Sequence, residues 1–345
     1  MHLLTVATAS YLDQVATMFK HIEQVHPELQ KTVLVADCAP DNMRPIFQAL
    51  GPSVDVLCCA DLKIDYLEEM REYYSTLEFC SALKILGSAH VLASEDQCLF
   101  LDPDMVVFDS LQKAVLDQPG EVVVSCHTFT PYPGDGSAPN DLELCLSGHI
   151  NGGVLLTRRG SQGTPAIDWL VQKTRFEWFV APHLGMYADQ QWLSALPYLF
   201  RERTTIVADR GVNVAYWNLH ERPMRRERTG EAITIADGGP LRLMHFSGFS
   251  VPSDGRLTKH STRQFDDATE KVLAELIGEY EASLIAARAK LGHIKGDLGF
   301  SNLPLAKRME IARARGGVQT TQPQATGLPA RLHRAARSIY DSLKA

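Results

Sequence analysis

The chain has 345 residues, of which 45% are hydrophobic and 22% are charged. These values are typical of globular proteins and argue against a disordered, collagen-like or disulfide-scaffold protein. The formal charge of −7 gives no reason to expect nucleic acid as a partner, because nucleic-acid phosphates bind to positive surfaces. No apolar run in the sequence approaches the roughly 20 residues that cross a bilayer.

The start of the sequence and its cysteines both favour a cytoplasmic protein. No Lys or Arg precedes Lys20, so the apolar stretch 3–9 lacks the charged region of a signal peptide and is typical of a first β-strand. The seven cysteines are an odd number without a CxxC pair, which argues against a structural zinc site and a disulfide framework. We therefore expect the reducing environment of the cytoplasm.

The first part of the chain alternates short apolar runs with helical patterns, which is typical of βαβ units in a parallel sheet. The predicted elements are strands at 3–9, 31–38 and 54–59, and helices at 12–23 and 42–50. They are followed by a buried helix at 75–92 and a buried strand at 98–101. This strand leads directly into Asp102-Pro103-Asp104.

Beyond residue 120 the predicted strands are less regular. They lie at 121–126, 148–156, 205–208, 212–216 and 241–246, with helices at 166–179 and 189–196. The loop 128–140 contains three prolines and two glycines, and it is either a lid beside a site or an ordinary surface loop. We predict an α/β fold in which residues 1–252 form one domain with a mixed sheet flanked by helices.

The rest of the chain is predicted to be helical and basic. The predicted parts are a helical extension at 253–315, with helices at 266–290 and 303–315, and a linker with an amphipathic helix at 316–345. Residues 281–345 hold 11 of the 34 Lys and Arg residues but 4 of the 41 Asp and Glu residues. The amphipathic helix within 316–345, from Pro329 onwards, either binds peripherally to the inner face of an anionic membrane or is a solvated helix packed on the body.

Asp102 and Asp104 carry the first indication of chemistry. Because they follow a buried strand, both carboxylates are expected at the sheet edge where open α/β folds bind ligands. Hard oxygen ligands select Mg²⁺ or Mn²⁺, and such an ion normally bridges a protein carboxylate and a diphosphate. Asp and Pro after a strand are also ordinary turn residues, so this motif alone leaves both interpretations open.

Five further motifs accompany it in a fixed order: TVATASY at 5–11, LEFCSALK at 77–84, INGGV at 150–154, ADQQWL at 188–193 and HFSG at 245–248. With these motifs the sequence resembles the nucleotide-sugar glycosyltransferases of the GT-A fold. The resemblance points especially to the retaining galactosyl- and glucosyltransferases of the glycogenin and lipopolysaccharide type, those of glycosyltransferase family 8. It covers residues 3 to about 250.

The resemblance implies a GT-A, Rossmann-like mixed sheet and a hexosyltransferase activity. Such an enzyme moves a sugar from a nucleotide diphosphate donor, here a UDP-sugar, to a saccharide or lipid-linked acceptor in the synthesis of surface polysaccharide or glycoconjugates. The resemblance also implies a Mn²⁺ or Mg²⁺ cofactor, held by Asp102, Asp104 and His245, that binds the donor diphosphate. A lone histidine after a strand is otherwise more often a structural residue than a ligand.

Other residues of the motifs are implied to bind the nucleotide-sugar. Lys84 would offset the charge of the diphosphate, with a solvated helix position as the alternative. Asn151 would bind hydroxyls and Gly152 would let a sugar lie against bare backbone, whereas Asn-Gly is also typical of a tight turn. Thr8 and Tyr11 would lie in the same site, where Tyr11 either stacks on the base or contacts the first helix.

Asp189 and Gln190 are implied to face the donor sugar and to carry catalysis. Asp189 would bind sugar hydroxyls, although it could also be a helix N-cap. The Gln190 carbonyl would stabilise an oxocarbenium-like anomeric carbon while the acceptor attacks from the same face. Retention of configuration is inferred from these two residues and His245. Gly248 would let the backbone approach the phosphates.

The sequence departs from the family pattern at two places. The stretch 8–11 lacks the acidic residue that reads the uracil edge, so the base is not assigned. The family's Gly-x-x-Lys-Pro-Trp sequence after the last histidine is absent, which leaves Arg256 and Lys259 as candidates for a phosphate contact. The polar and aromatic stretch 209–218 either contributes to the acceptor side of the site or is core packing.

Two other functions remain as alternatives. A nucleotidyltransferase also uses carboxylates and a metal at strand ends, but residues 7–12 contain no Gly and no basic residue for a phosphate-binding loop. A non-catalytic scaffold or binding protein would use the basic tail to recognise an anionic partner.

Overall fold

The structure is a computed structural model, and it describes residues 1–228, 230–235, 239–292 and 294–316. The predicted tail helix and nearly all of the linker before it lie outside these residues.

The elements follow the predicted alternation in the first half of the chain. The strands are β1 (His2–Ala7), β2 (Gln30–Val35), β3 (Val54–Cys58), β4 (Gln97–Leu101), β5 (Met105–Val107), β6 (Val122–Cys126), β7 (Ile150–Arg158), β8 (Val180–Ala181), β9 (Met186–Tyr187), β10 (Thr204–Ile206) and β11 (Leu243–His245). The helices are α1 (Leu12–Val25), α2 (Met43–Leu50), α3 (Leu67–Arg71), α4 (Thr76–Ser94), α5 (Asp141–Ser147), α6 (Gly163–Thr174), α7 (Ala188–Leu199), α8 (Asp267–Leu291) and α9 (Leu305–Gly316).

Seven strands form one mixed sheet in the order β10-β6-β7-β4-β1-β2-β3, which confirms the predicted α/β fold. Strands β1 to β4 are parallel, whereas β7 runs antiparallel to β4 and β6. Leu4 and Leu34 belong to the core beneath α4, and Leu3 and Val33 belong to the core beneath α1. Because helices cover both faces, the parallel strands are continuously apolar.

A separate two-stranded sheet brings the distant histidine to the Asp-x-Asp motif. Asp102 and Asp104 lie in the short connection between β4 and β5. Strand β11 pairs antiparallel with β5, with His245 opposite Met105. The amide of Phe246 donates to the Asp104 carbonyl at 2.9 Å. The register of this pair therefore fixes His245 next to both carboxylates.

Two of the differences from the sequence-based expectations concern segments at the site. The strand predicted at 212–216 is wrong, because this segment is irregular and only Val214 bonds to β11. Asn213 has a φ of 58°, and this left-handed conformation interrupts an extended chain. Helix α5 lies in a stretch with no predicted element, although a capping box of Asn140 and Glu143 marks its start.

The described residues of the predicted extension pack on the rest of the chain. Leu276 and Tyr280 of α8 share a hydrophobic cluster with β11. Helix α9 is fixed to α4 by an ion pair between Arg308 and Glu78, which are both buried. Each described helix is too short or too polar to cross a lipid bilayer.

We expect Arg308→Met to lower the free energy of unfolding by about 3 kcal/mol, because the fully buried Glu78 carboxylate loses its cation. The matched control is Lys307→Met on the same helix. Lys307 pairs with Glu310 at the exposed surface, so its loss should cost less than about 1 kcal/mol. Urea unfolding measures both variants, and equal stabilities would contradict the importance of the buried pair.

Candidate active site

Every residue that the sequence motifs assign to the site lines one cavity at the carboxyl edge of the sheet. The cavity has a volume of about 800 Å³. Its walls include Thr8, Tyr11, Lys84, Asp102, Asp104, Asn151, Gly152, Asp189, Gln190, His245 and Gly248. Because β1 and β4 are parallel, the residues that follow them meet at the same edge of the sheet.

Asp102, Asp104 and His245 form a cluster that could hold a metal ion. One ligand atom from each lies within 4.8 Å of the others. His245 Nε2 is 3.0 Å from Asp104 Oδ1 and 3.9 Å from Asp102 Oδ2. Burial opposes a charged imidazole, but the two carboxylates outweigh it and raise the pKa of His245. Two carboxylates and one imidazole fit Mn²⁺ or Mg²⁺.

Asn213 orients the His245 imidazole. Its amide nitrogen donates to Asn151 Oδ1 at 3.0 Å and to Ser125 Oγ at 3.2 Å, which turns its carbonyl oxygen towards His245. His245 Nδ1 lies 3.1 Å from that oxygen and donates to it. A proton on Nδ1 leaves the lone pair of the neutral ring on Nε2, the atom that faces the carboxylates. Asn213 therefore selects the tautomer that a metal ligand needs.

Lys84 is a buried cation among the carboxylates. Only 5% of the residue is exposed, so it is not a solvated helix position. Its ammonium donates to Asp189 Oδ2 at 2.7 Å and to the Gly152 carbonyl at 2.6 Å, and it lies 3.3 Å from Asp102 Oδ1. Burial alone would lower the pKa of Lys84, but Asp102 and Asp189 raise it. The lysine is therefore charged inside the cavity wall.

Asp189 and Gln190 lie in the first turn of α7. Tyr187 is the N-cap residue of this helix, and the Asp189 carboxylate forms the ion pair described above instead of a cap. Gln190 Nε2 donates to the Ser147 carbonyl at 3.1 Å, so its amide oxygen faces Asn151 Nδ2 at 3.3 Å. Because a backbone carbonyl only accepts hydrogen bonds, the contact with Ser147 fixes the orientation of this amide.

The Asn151-Gly152 pair lies within β7 and not in a tight turn. A Cβ atom at Gly152 would be 1.8 Å from Asp189 Oδ2 and 2.8 Å from Lys84 Nζ. The space beside this backbone therefore holds the ion pair, whereas the resemblance implies a sugar there. Glycine fits this position because the carboxylate approaches the chain so closely.

Thr8, Tyr11 and Gly248 differ in what they offer a ligand. Thr8 is buried, and its hydroxyl shares a hydrogen bond with that of Ser10. Tyr11 is 48% exposed, which leaves part of its ring open to the cavity. Gly248 has a φ of 76°, and a Cβ atom there would be 2.6 Å from His260 Cδ2. The chain therefore brings His260 directly against the backbone of Gly248.

The two candidates for a phosphate contact lie elsewhere. Arg256 pairs with Asp254 at the surface, and neither Arg256 nor Lys259 lines the cavity. His260 lines it instead.

His127 and His260 were not predicted. His127 directly follows β6 and lines the cavity. Its position after a predicted strand could have indicated a place at the sheet edge. Burial lowers the pKa of His127 to about 4, so its imidazole is neutral. His260 lies in an irregular segment and no sequence pattern marks it. Trp217, in the stretch 209–218, lines the cavity and packs with its ring 5.1 Å from that of His245.

The loop 128–140 is tied to the C-terminal segment. Arg263 donates to Asp135 Oδ2 at 2.6 Å and to the Pro139 carbonyl at 3.0 Å. Tyr132 and Pro139 line the cavity. The loop is therefore part of the cavity wall.

We expect Gly152→Ala to lower the free energy of unfolding by about 2 kcal/mol, because the added Cβ displaces Asp189 or Lys84. The control is Gly134→Ala, where a Cβ atom would meet nothing within 4 Å. This control should change stability by less than about 0.5 kcal/mol. Urea unfolding compares the two, and a Gly152→Ala variant as stable as its control would contradict the close approach of the ion pair.

No protein-family model matches the chain. The uncharacterized protein YfnF of Bacillus subtilis strain 168 is 24% identical over 266 residues, which is 76% of this chain and 86% of YfnF. Among solved structures, the galactosyltransferase LgtC in complex with donor and acceptor sugar analogs is similar with a TM-score of 0.52 and 17% identity. The match covers 84% of this chain and 100% of the LgtC chain. The chain therefore has the GT-A glycosyltransferase fold that its motifs predict.

Proposed function

We propose that this protein is a metal-dependent glycosyltransferase that moves a sugar from a nucleotide diphosphate donor, a UDP-sugar, to a saccharide or lipid-linked acceptor. The reaction would belong to the synthesis of surface polysaccharide or glycoconjugates. The observation that carries the proposal is the convergence of Asp102, Asp104 and His245 within 4.8 Å in the wall of an 800 Å³ cavity. The fold of LgtC, whose structure holds donor and acceptor sugar analogs, supports it.

The proposed metal is Mn²⁺ or Mg²⁺, held by Asp102, Asp104 and His245. When bound, such an ion would supply Lewis-acid stabilisation of the diphosphate as it leaves the sugar. The two carboxylate ligands favour these hard ions over zinc, and the imidazole with its Asn213 partner fits a ligand role.

Lys84 positions the carboxylate of Asp189. Its ammonium bonds to Asp189 Oδ2, which leaves Asp189 Oδ1 to accept a hydrogen bond from a hydroxyl of the donor sugar. The same charge lies 3.3 Å from Asp102 and offsets the negative charge of the carboxylates and of a bound diphosphate. Asn151, with Gly152 beside it, would bind a further hydroxyl in exchange for its contact with Gln190.

Gln190 would act at the anomeric carbon. An amide is a weak nucleophile compared with the carboxylate of a retaining hydrolase. The proposed mechanism therefore includes no stable covalent intermediate on Gln190. Its oxygen, fixed by the contact with Ser147, can stabilise positive charge that develops on the sugar ring. As the bond from the anomeric carbon to the diphosphate breaks, the acceptor oxygen would bond to that carbon on the same face, which retains the configuration, and the acceptor's proton would pass to the departing diphosphate.

The nucleoside and phosphates would occupy the rest of the donor site. The half-exposed ring of Tyr11 can stack on a base next to Thr8. His260, against the backbone of Gly248, has no side-chain hydrogen-bond partner among the described residues and can donate to a phosphate oxygen. This contact would take the place of Arg256 or Lys259.

We propose that residues 1–252 form the transferase domain and that the protein works in the cytoplasm.

The basic tail at 316–345 would bind peripherally to the inner face of the membrane, unless it is a solvated helix. Flotation with anionic vesicles, with and without residues 316–345, distinguishes the two.

We expect cleavage of at least one nucleotide-sugar from a panel of UDP-, GDP- and ADP-sugars, in the presence of Mn²⁺ and not in the presence of a chelator. Asp104→Asn should lower this rate at least about 100-fold, because one metal ligand is lost. Release of the nucleoside diphosphate is the quantity measured.

The control for this experiment is Asp96→Asn, since the Asp96 carboxylate is 92% exposed and lies outside the cavity. It should retain the full rate. A binding or scaffold protein would cleave no donor, and a nucleotidyltransferase would instead release pyrophosphate from a nucleoside triphosphate and a sugar phosphate.

We expect Asn213→Gly to weaken Mn²⁺ binding by about 10- to 100-fold, because His245 loses the group that orients its ring. Glycine tolerates the φ of 58° at this position, so the backbone is not strained. Isothermal titration calorimetry with MnCl₂ gives the affinity. Asn302→Gly, at an exposed position, should bind Mn²⁺ as the wild type does; equal affinities for the two variants would refute the orienting role.

A further inference from the structure

Helix α5 lies beside the cavity with its leucines unburied. None of its residues is buried, although its sequence DLELCLS contains three leucines and a cysteine. Leu142 is 62% exposed and Leu146 is 38% exposed. A short helix in a protein is ordinarily stabilised by packing of an apolar face. Helix α5 contacts β9 and the turn at 182–184, yet Leu142 and Leu146 stay exposed, and their exposure needs another explanation.

Polar contacts at both ends hold α5 in place. At its start, Asn140 Oδ1 accepts hydrogen bonds from the amides of Leu142 and Glu143 at 3.0 and 3.1 Å. At its end, the Ser147 carbonyl accepts a hydrogen bond from the Gln190 side chain. The leucine side chains therefore remain available for a ligand.

The exposed leucines continue the cavity wall outwards. Leu144 and Leu146 line the cavity itself. Leu142 lies one turn before Leu146 and on the same side of the helix. Leu184, which is 53% exposed, belongs to a turn at 182–184 that contacts α5. We refer to the exposed residues Leu142, Leu146 and Leu184 as the leucine rim; Leu144 is two positions from Leu142 and Leu146 and lies on the other side of α5.

We propose that the leucine rim binds the hydrocarbon chain of an amphiphilic acceptor whose saccharide head enters the cavity. This inference rests on the proposed glycosyltransferase function and specifies its acceptor as lipid-linked. Because the rim begins inside the cavity, one molecule can occupy both surfaces.

The charges near the rim favour a single hydrocarbon chain over a membrane surface. Residues 140–150 include Asp141 and Glu143 but no Lys or Arg. An anionic bilayer attracts basic side chains and would be repelled by these carboxylates. The rim therefore suits the single hydrocarbon chain of one acceptor molecule better than the surface of a bilayer.

The test measures binding of methyl, hexyl, octyl and decyl β-glucosides to the full chain, each below its critical micelle concentration. Cys145 on α5 is exposed and the other cysteines are buried or half-buried, so a bimane fluorophore on Cys145 reports binding at the rim. We expect saturable binding that tightens by up to about fourfold for each methylene group. The double variant Leu142→Ser, Leu146→Ser should bind the decyl glucoside at least about tenfold more weakly.

The control is Ile285→Ser on α8, which removes an aliphatic side chain that is 54% exposed and lies outside the cavity; it should bind as the wild type does. Affinity that does not depend on chain length, or that the double variant retains, overturns the proposal. The proposal is also overturned if the wild type is a dimer that the double variant converts to monomers. It is overturned as well if the glucosides bind only after residues 317–345 are removed. Because no turnover is needed, this result is independent of the nucleotide-sugar cleavage test.

Discussion

The balance of charge at the carboxyl edge of the sheet is the constraint on which the candidate site depends. Three carboxylates, those of Asp102, Asp104 and Asp189, lie in the wall of one cavity. Asp189 is buried and the other two are partly buried, and removing a carboxylate from water costs free energy unless cations or donors compensate it. Lys84 pairs with two of them and His245 faces two, so negative charge remains in excess at the cluster. A divalent cation is the kind of ligand that completes such a balance, and a diphosphate is the kind that a bound cation then attracts.

This balance is assembled from elements that are far apart along the chain. The lysine belongs to α4, which precedes β4, so Lys84 and Asp102 reach the same edge from consecutive elements. The pairing of β11 with β5 supplies the imidazole, and α7 supplies Asp189. Gly152 makes the ion pair possible, because any side chain on this residue of β7 would occupy the space of the Asp189 carboxylate. A change in any one of these elements therefore alters the charge that the others must compensate.

The residues that could be predicted from the sequence lie beside regular elements. Asp102 follows an apolar strand, so its position alone predicts the sheet edge. Lys84 lies in a predicted helix, and the family resemblance rather than its spacing indicates a place in the site. Asn213 and His260 lie in irregular segments. Asn213 contacts His245, 32 positions along the chain, and His260 lies against Gly248, 12 positions before it, and periodicity encodes neither contact. The resemblance assigns Gly152 to the site because a sugar would lie against its backbone. In the structure an ion pair fills this space, so glycine is needed there for a different reason.

The cavity is built from two kinds of wall, and the difference has a consequence for function. Asp102, Asp104, His245 and Lys84 are positioned by strands and by the long helix α4, where few substitutions fit. The other wall consists of the loop 128–140, helix α5 and the segment around His260. Polar contacts hold these segments in place, such as the hydrogen bonds of Arg263 with Asp135 and Pro139. Segments of this kind change with little cost to the core, so under the proposed function one fold could keep its donor chemistry while its acceptor changes. The exposed leucines of α5 belong to this second wall, where a preference for one class of acceptor can arise without disturbing the charges at the sheet edge.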